Sequence, residues 1–384
     1  MTSPLIAKIQ AAYQREQQLN REAITAQDLP LSYEAITDRW LTAVLCAEVP
    51  GAVVNAHRLS EPDNGSANRR KIYLEYNQVG QAAGLPQAVF CKATHDLANR
   101  FVLGISGGAR CETLFYADIR PWLDIEAPVG YFASFNAETI NSIVILGDLS
   151  DTVQSFCDHT TVMTRQRVES QLRQLAKFHG QCFKNAELKN RIGQLPTFRE
   201  FFTNTLGFGM KEGSTAGFLA ADSVIPPRLY RRIDAIWPAT LAAIENLDRL
   251  PHTLAHGDVH LKNWYVAGSG EMGLSDWQCA ARAHWGRDVA YTISCALSVE
   301  NRRAWERDLL KYYLAQLAIH GGATTDFNSA WNIYRQMLIP ALTWWTITLR
   351  PSEGLPDMQP KDVTLDFIRR MSTAMDDLDS LDLD

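Results

Sequence analysis

The sequence feature that most constrains this chain is a motif of two aspartates and one asparagine at fixed offsets. Asp258 and Asn263 are five residues apart in the run His-Gly-Asp-Val-His-Leu-Lys-Asn, and Asp276 follows thirteen residues after Asn263. Residues 264–266 and 273–275 are typical of two short strands, and the glycines between them are typical of a tight turn. The pattern therefore predicts a loop followed by a β-hairpin that folds Asp276 back toward the other two side chains.

Two carboxylates placed close together in this way need a counter-charge. At 4 Å and an effective dielectric constant near 20, two like unit charges repel by about 4 kcal/mol. A divalent cation removes this repulsion, and magnesium suits hard oxygen ligands of this kind. In phosphoryl transfer one aspartate accepts the proton of the attacking hydroxyl, while an asparagine and a second aspartate hold magnesium on the phosphates. Asp258, Asn263 and Asp276 fit these three roles in that order.

The run HGDVHLKN, followed by LSDWQ, resembles the signature of the aminoglycoside phosphotransferase and choline kinase-like family, part of the protein-kinase-like superfamily. The resemblance is closest to its ecdysteroid-kinase-like and bacterial phosphotransferase branches. It implies an α+β, two-lobed, protein-kinase-like fold, in which an N-terminal antiparallel sheet with a helix precedes a larger, mainly helical C-terminal lobe. The expected domains are a helical extension (1–36), a nucleotide-binding lobe (37–150) and a lobe with the catalytic loop and the acceptor site (151–384).

Lys92 ends an apolar run, 88–93, that is typical of a strand. A lysine in such a run is unusual unless its charge is paired. The resemblance places Lys92 on the α- and β-phosphates of the nucleotide and gives it a glutamate partner on the following helix. Glu112 matches the family pattern E-x-x-F-Y, so the resemblance makes it the expected partner. The alternative interpretation makes Lys92 a lysine at a sheet edge and Glu112 part of a solvated helix face.

Alternating residues predict strands at 53–59 and 71–76, joined by a turn of small polar residues. The Gly-x-Gly-x-x-Gly pattern of protein kinases is absent. Two interpretations stay open: the backbone N–H groups of Gly65 and Ser66 face phosphates, or the segment is an ordinary hairpin turn. ATP is the expected nucleotide. The expected hinge, 147–149, departs from the family's Leu-Glu-Asp-Leu, and this departure leaves GTP open.

Three further residues are expected to support the catalytic loop. Asp288, in Gly-Arg-Asp-Val-Ala-Tyr, is predicted to cap a helix, and the resemblance also makes it a brace for the loop. His256 is expected to anchor the loop by hydrogen bonds. His260 is interpreted as buried support in preference to a catalytic group.

Beyond residue 151 the pattern is mainly helical. The segment 204–223 is rich in Gly, Ser and Thr, and we interpret it as a flexible loop near the acceptor site. The aspartate-rich tail, 376–384, is expected to fray into solvent. The predicted helices, including one at the N-terminus, span residues 3–20, 161–179, 302–320, 326–349 and 361–378.

Composition limits the partners and the compartment. The net charge is −6, so no basic surface indicates nucleic acid. The sequence has no apolar run long enough to span a membrane and no apolar core of a secretory signal. Seven scattered cysteines without a C-x-x-C pair are typical of buried thiols in a reducing cytoplasm. A small hydroxyl compound is the expected partner, and the oligomeric state stays open.

These features together predict an ATP- and Mg²⁺-dependent kinase that phosphorylates a hydroxyl of a small molecule. An apolar or aromatic alcohol is favoured over a polycationic aminoglycoside, because most tryptophans lie beyond residue 230 and the acid-rich stretch is the distal tail. A metallophosphoesterase would share Gly-Asp-x-His but needs Asn-His and Gly-His-x-His boxes, which the sequence lacks. A non-catalytic kinase-like nucleotide-binding protein usually loses one of the five polar residues, and all five are present.

Overall fold

The computed structural model describes residues 4–19, 21–351 and 358–383, and the chain divides into two compact units. The first unit contains Met1–Trp122 and Pro128–Thr152, and the second contains Leu123–Ala127 and Val153–Asp384. The predicted N-terminal helix and acidic tail extend to positions 3, 20 and 384, which lie outside the described residues.

The first unit is built on an antiparallel sheet. The strands are β1 (Val54–Leu59), β2 (Asp63–Asn64), β3 (Asn68–Tyr76), β4 (Ala88–Ala93), β5 (Gly130–Phe135) and β6 (Ser142–Gly147). Their order in the sheet is β1-β3-β4-β6-β5, and β2 pairs with β3 at the edge of the predicted turn. The predicted strand at 71–76 begins three residues earlier, because Asn68 pairs with Asn64 and Ala93.

Helices pack on this sheet through apolar side chains at helical spacing. The helices are α1 (Pro4–Gln17), α2 (Asp38–Leu45), α3 (Gln78–Ala82), α4 (Leu97–Ser106) and α5 (Gly108–Leu114). Thr37 caps α2 by accepting from the Trp40 N–H, and Trp40 is fully buried against Phe132, with ring centroids 5.5 Å apart. Burying a side chain of this size contributes about 2–3 kcal/mol.

The second unit is mainly helical, with short strands around the predicted catalytic loop. Its strands are β7 (Val153–Phe156), β8 (Thr253–Ala255), β9 (Trp264–Ala267), β10 (Met272–Leu274) and β11 (Ala281–Ala283). Its helices are α6 (Arg165–Lys184), α7 (Ala186–Ile192), α8 (Phe198–Thr205), α9 (Met210–Ala220), α10 (Pro227–Tyr230), α11 (Ile233–Asp248), α12 (Gly286–Ala296), α13 (Val299–Ile319), α14 (Phe327–Leu349) and α15 (Lys361–Asp377).

Three strands of this unit, β7, β8 and β11, were not predicted from the sequence, and β8 and β11 pair with each other. β7 pairs antiparallel with β9 and extends the catalytic hairpin to a three-stranded sheet. The residues of β7 are mostly exposed and show no clear apolar alternation. Because its pairing partner lies more than 100 residues away, no local pattern indicates it.

The prediction of a flexible loop at 204–223 is wrong. The segment contains α9, and two of its glycines pack closely against α14 and the residue that follows it. A Cβ atom on Gly217 would lie 1.8 Å from the Thr346 carbonyl oxygen, and one on Gly213 would lie 3.1 Å from the Arg350 carbonyl oxygen. Glycines four residues apart therefore permit close helix packing here and do not mark a mobile chain.

Two further predictions are corrected at helix ends. Asp288 does not cap α12, because that helix begins at Gly286 with Trp285 as its N-cap residue. The described part of the acidic tail is held by arginines instead of fraying. Arg228 forms ion pairs with Asp376 and Asp379 of this tail.

Among the described residues, no helix combines the length and the hydropathy that crossing a bilayer requires. All seven cysteines are buried and free.

Candidate active site

The hairpin brings the second aspartate of the motif back to the asparagine. Leu274 pairs with Trp264, and Ser275 donates both its N–H (2.9 Å) and its hydroxyl (3.0 Å) to the Asn263 carbonyl oxygen. Asp276 follows directly, with φ 64° and ψ 67°. Aspartate is one of the few residues that adopt this left-handed conformation at modest cost. The predicted hairpin thus places Asp276 beside Asn263.

The loop before the hairpin turns sharply at Gly257. Its φ is +81°, and a Cβ atom there would lie 2.5 Å from the Cys279 carbonyl oxygen, so only glycine fits without rearrangement. The Asn263 side chain donates from Nδ2 to the Asp258 carbonyl oxygen at 2.8 Å. This bond closes the loop and fixes the Asn263 amide, so that its Oδ1 points away from the bonded carbonyl.

A buried carboxylate on α12 holds this loop. Asp288 accepts from the His256 N–H at 2.7 Å and from the Gly257 N–H at 2.9 Å. Burial alone would raise the pKa of Asp288, but the hydrogen bonds from His179 and from the Gly257 N–H lower it below its ordinary value. Asp288 therefore stays ionised and fixes two backbone amides of the loop.

His256 anchors the loop from within, as the sequence predicted. Its Nε2 donates to the Ser275 carbonyl oxygen at 2.9 Å, and its Nδ1 accepts from the Asp258 N–H at 3.2 Å. Both contacts need a neutral imidazole with its proton on Nε2. Burial lowers the pKa of His256, which favours the same neutral form.

Around Asp258 the structure adds Tyr291 and Arg287, which carried no predicted role, to His260, which was predicted to be buried support. The Tyr291 hydroxyl donates to Asp258 Oδ1 at 3.0 Å, and His260 Nε2 lies 3.6 Å from Asp258 Oδ2. Arg287 is fully buried and donates to the Gly257 carbonyl oxygen at 2.9 Å. Arg287 and Tyr291 both belong to the run Gly-Arg-Asp-Val-Ala-Tyr. Two charged residues in an otherwise apolar helix were the sequence signal that could have indicated a functional role for this run.

In the first unit, Lys92 and Glu112 form a buried ion pair. Lys92 Nζ lies 2.6 Å from Glu112 Oε1, and the two residues are 7% and 4% exposed. Lys92 lies on β4 and Glu112 on α5, so the sheet and the helix each position one partner. The alternative interpretation, in which Lys92 lies at a sheet edge and Glu112 on a solvated helix face, is therefore wrong.

The turn that carries Gly65 and Ser66 is held from its carbonyl side by a buried asparagine. The Asn99 side chain donates to the carbonyl oxygens of both residues at 2.8 Å. The Gly65 N–H donates to the Ala67 carbonyl oxygen at 3.0 Å, so this amide is engaged within the turn. A phosphate contact from Gly65 would require that bond to open.

The donor set around Asn263 and Asp276 fits magnesium. An amide oxygen and a carboxylate on one hairpin are hard oxygen ligands, and magnesium sites of this kind add phosphate and water oxygens. Within the described ranges, no group of three or more His, Cys, Asp or Glu side chains is arranged to hold a metal. This is expected for a site in which the substrate supplies part of the coordination.

Three solved structures that are similar to this chain are named as kinases or phosphotransferases of small molecules. A predicted aminoglycoside phosphotransferase from Ralstonia eutropha JMP134 is 16% identical, with a TM-score of 0.51, over 89% of this chain and 97% of that chain. The choline kinase LicA from Streptococcus pneumoniae is 11% identical (TM-score 0.45, 88% and 98% covered). An ethanolamine kinase from Plasmodium vivax is 12% identical (TM-score 0.43, 84% and 82% covered).

The first of these similarities shows that the fold is protein-kinase-like, as the sequence predicted. The sequence itself matches no curated protein with significance. A sequence model of the ecdysteroid kinase-like family matches residues 71–322, which is more than half of the chain. The protein belongs to the ecdysteroid kinase-like family. This membership confirms the resemblance and the assignment as a phosphotransferase with an alcohol group as acceptor.

Proposed function

We propose that the protein transfers the γ-phosphoryl group of ATP to a hydroxyl group of a small molecule, with Asp258 as the catalytic base. The observation that carries this proposal is the loop itself. Asp258, Asn263 and Asp276 belong to one hydrogen-bonded unit in which Asn263 contacts Asp258 and the hairpin returns Asp276 to Asn263. Catalytic groups held this firmly need little reorganisation during the reaction.

In this proposal Asp258 orients the acceptor hydroxyl and takes its proton as the oxygen attacks the γ-phosphorus. Asn263 and Asp276 would hold Mg²⁺, which neutralises charge on the phosphates when bound. His256 does not compete for this proton, since it is neutral and already bonded through both ring nitrogens.

The first unit supplies the residues proposed for the nucleotide. Lys92 would contact the α- and β-phosphates, and the buried Glu112 carboxylate fixes the position of its ammonium group. Ser66 is retained as a proposed phosphate contact from its backbone N–H. Gly65 is retained only for a conformation in which its bond to Ala67 is open. GTP stays open as an alternative nucleotide.

The acceptor is proposed to be an alcohol without several positive charges. A polycation would need a cluster of free carboxylates, and the acid-rich tail does not offer one. Asp376 and Asp379 are paired with Arg228, and Asp382 with Arg232. The tryptophans nearest the loop give no support for an aromatic pocket, because Trp264, Trp277 and Trp345 are all buried in the core.

The test is a screen of hydroxyl compounds, including aminoglycosides and apolar alcohols, with ATP and Mg²⁺. ADP release and mass spectrometry of the phosphate ester are the readouts. Asp258→Asn should lower kcat about 10³-fold with at least one acceptor, whereas the matched variant Asp308→Asn, on the exposed face of α13, should match wild type. Nucleotide binding without any phosphorylated product would support the non-catalytic alternative, and turnover of aminoglycosides alone would overturn the proposed acceptor class.

A further inference from the structure

Three buried side chains form a hydrogen-bonded chain that ends on Asp258. Trp345 Nε1 lies 2.6 Å from the Tyr291 hydroxyl oxygen, which lies 3.0 Å from Asp258 Oδ1. Tyr291 is fully buried, and Trp345 and Asp258 are 2% and 8% exposed. The chain therefore links α14 through α12 to the catalytic loop.

The direction of these two hydrogen bonds follows from the chemistry of the groups. An indole N–H can only donate, so the Tyr291 oxygen accepts from Trp345. The single hydroxyl proton of Tyr291 is then directed to Asp258, whose ionised carboxylate can only accept. A reversed chain is impossible, because Trp345 has no acceptor atom.

Packing around Trp345 keeps the chain in place. Its ring makes edge contacts with His260 and Phe367, with centroid separations of 5.4 Å and 4.6 Å. His260 in turn lies on the Oδ2 side of Asp258, 3.6 Å from that oxygen. The two carboxylate oxygens thus have different environments, since Oδ1 is hydrogen-bonded to Tyr291 and Oδ2 faces His260.

We propose that Tyr291, oriented by Trp345, is a positioning residue that makes Oδ2 the atom of Asp258 that receives the acceptor proton. This inference rests on the proposed function. In the step, the acceptor oxygen bonds to the γ-phosphorus, the bond from phosphorus to the departing nucleoside diphosphate breaks, and the hydroxyl proton passes to Oδ2. A proton on Oδ1 would oppose the Tyr291 proton, which Trp345 prevents from turning away.

The first test is a crystal structure of Tyr291→Phe. Without the hydroxyl, the Asp258 side chain should leave the orientation that it has in wild type. An unchanged Asp258 side chain would overturn the positioning role whatever the activity. If Asp258 moves but the wild-type protein phosphorylates no alcohol, the proposed function fails and the positioning contact stands, so the two failures are distinguishable.

The second test is kinetic. Tyr291→Phe should lower kcat about 10- to 100-fold, as loss of a residue that orients a reacting group typically does, with KM for ATP within about twofold of wild type. Trp345→Phe keeps an aromatic ring beside His260 but removes the N–H, and it should lower kcat severalfold. Because Trp345 acts through Tyr291, adding Trp345→Phe to Tyr291→Phe should produce little further loss.

The matched control is Tyr334→Phe, which also removes a fully buried hydroxyl, here one bonded to Glu306 at 3.1 Å on the far part of α14. It should leave kcat unchanged. Equal kcat values for Tyr291→Phe and Tyr334→Phe would overturn the proposal. Fully additive losses from Tyr291→Phe and Trp345→Phe would do the same, because they would indicate two independent structural effects.

Discussion

The catalytic loop (256–263) and the Gly65 turn (63–67) are both assigned to phosphate chemistry, and they are held in different ways. Two amides of the loop are bonded to the buried Asp288 carboxylate, and the Asn263 side chain closes the loop on Asp258. In the Gly65 turn, Gly65 is exposed, and the Asn99 side chain donates to the carbonyl oxygens of Gly65 and Ser66.

The difference indicates two kinds of site. A base and metal ligands must keep a fixed geometry, so a rigid, buried support is needed. A turn that covers a nucleotide must admit and release it, so few exposed contacts suffice. Substitutions that remove support should therefore be costly at the catalytic loop and mild at the Gly65 turn.

The largest effect is expected for Asp288→Ala. It leaves the His256 and Gly257 N–H groups buried without their acceptor and removes the hydrogen-bond partner of the buried His179 Nε2. Breaking such a buried arrangement typically costs about 3–5 kcal/mol in the free energy of unfolding. Urea unfolding measures this loss of stability. Asp382→Ala, which breaks an exposed ion pair, is the control and should change stability little.

Lys92→Met extends the comparison to a buried pair in the first unit. Without the ammonium group, the buried Glu112 carboxylate loses its ion-pair partner Lys92, and unfolding should become easier by about 3 kcal/mol. Adding Glu112→Gln should restore much of this loss. A single variant as stable as wild type would show that the pair is not a rigid support.

Gly257→Ala tests the sharp bend of the loop against a matched glycine in the hairpin turn. Both Gly257 and Gly270 have φ near +85°, so alanine costs about 1–2 kcal/mol at either position. At Gly257 a clash with the Cys279 carbonyl adds about 1–3 kcal/mol, whereas nothing lies within 4 Å at Gly270. Equal destabilisation in urea would contradict this account.

The smallest effect is expected for Asn99→Ala. Two hydrogen bonds to the Gly65 turn are lost, but the freed carbonyls reach water, so stability should fall by about 1 kcal/mol. If the turn covers the nucleotide, KM for ATP should rise severalfold while kcat stays unchanged. A loss of kcat as large as that of a catalytic-loop variant would remove the distinction between the two regions.

Local sequence was sufficient where a short segment determines the geometry. Asp276 returns to Asn263 because the hairpin has a fixed length. Lys92 forms an ion pair because a lysine buried in an apolar strand needs a partner for its charge. Long-range contacts were not predictable in this way. Nothing local indicates that Asp288 accepts from Gly257, which lies 31 residues earlier, or that Tyr291 reaches Asp258.

Two wrong predictions have a common physical origin. The glycines of α9 and the aspartates of the tail have local properties of flexible, solvated chain. Their partners are distant in sequence: Thr346 packs against Gly217, and Arg228 binds Asp376. Composition describes what a segment would do alone, and it omits the partner that orders the segment.

The most direct test of the central claim is the magnesium dependence of ATP binding, measured by isothermal titration calorimetry. If Asp276 holds the metal and Asp258 is the base, Asp276→Ala should lose the increase in ATP affinity that Mg²⁺ produces, while Asp258→Asn should keep it. The assignment of a kinase site to this loop and hairpin would be contradicted if Mg²⁺ did not change the ATP affinity of the wild-type protein. It would also be contradicted if Mg²⁺ changed the ATP affinity of both variants by the same factor.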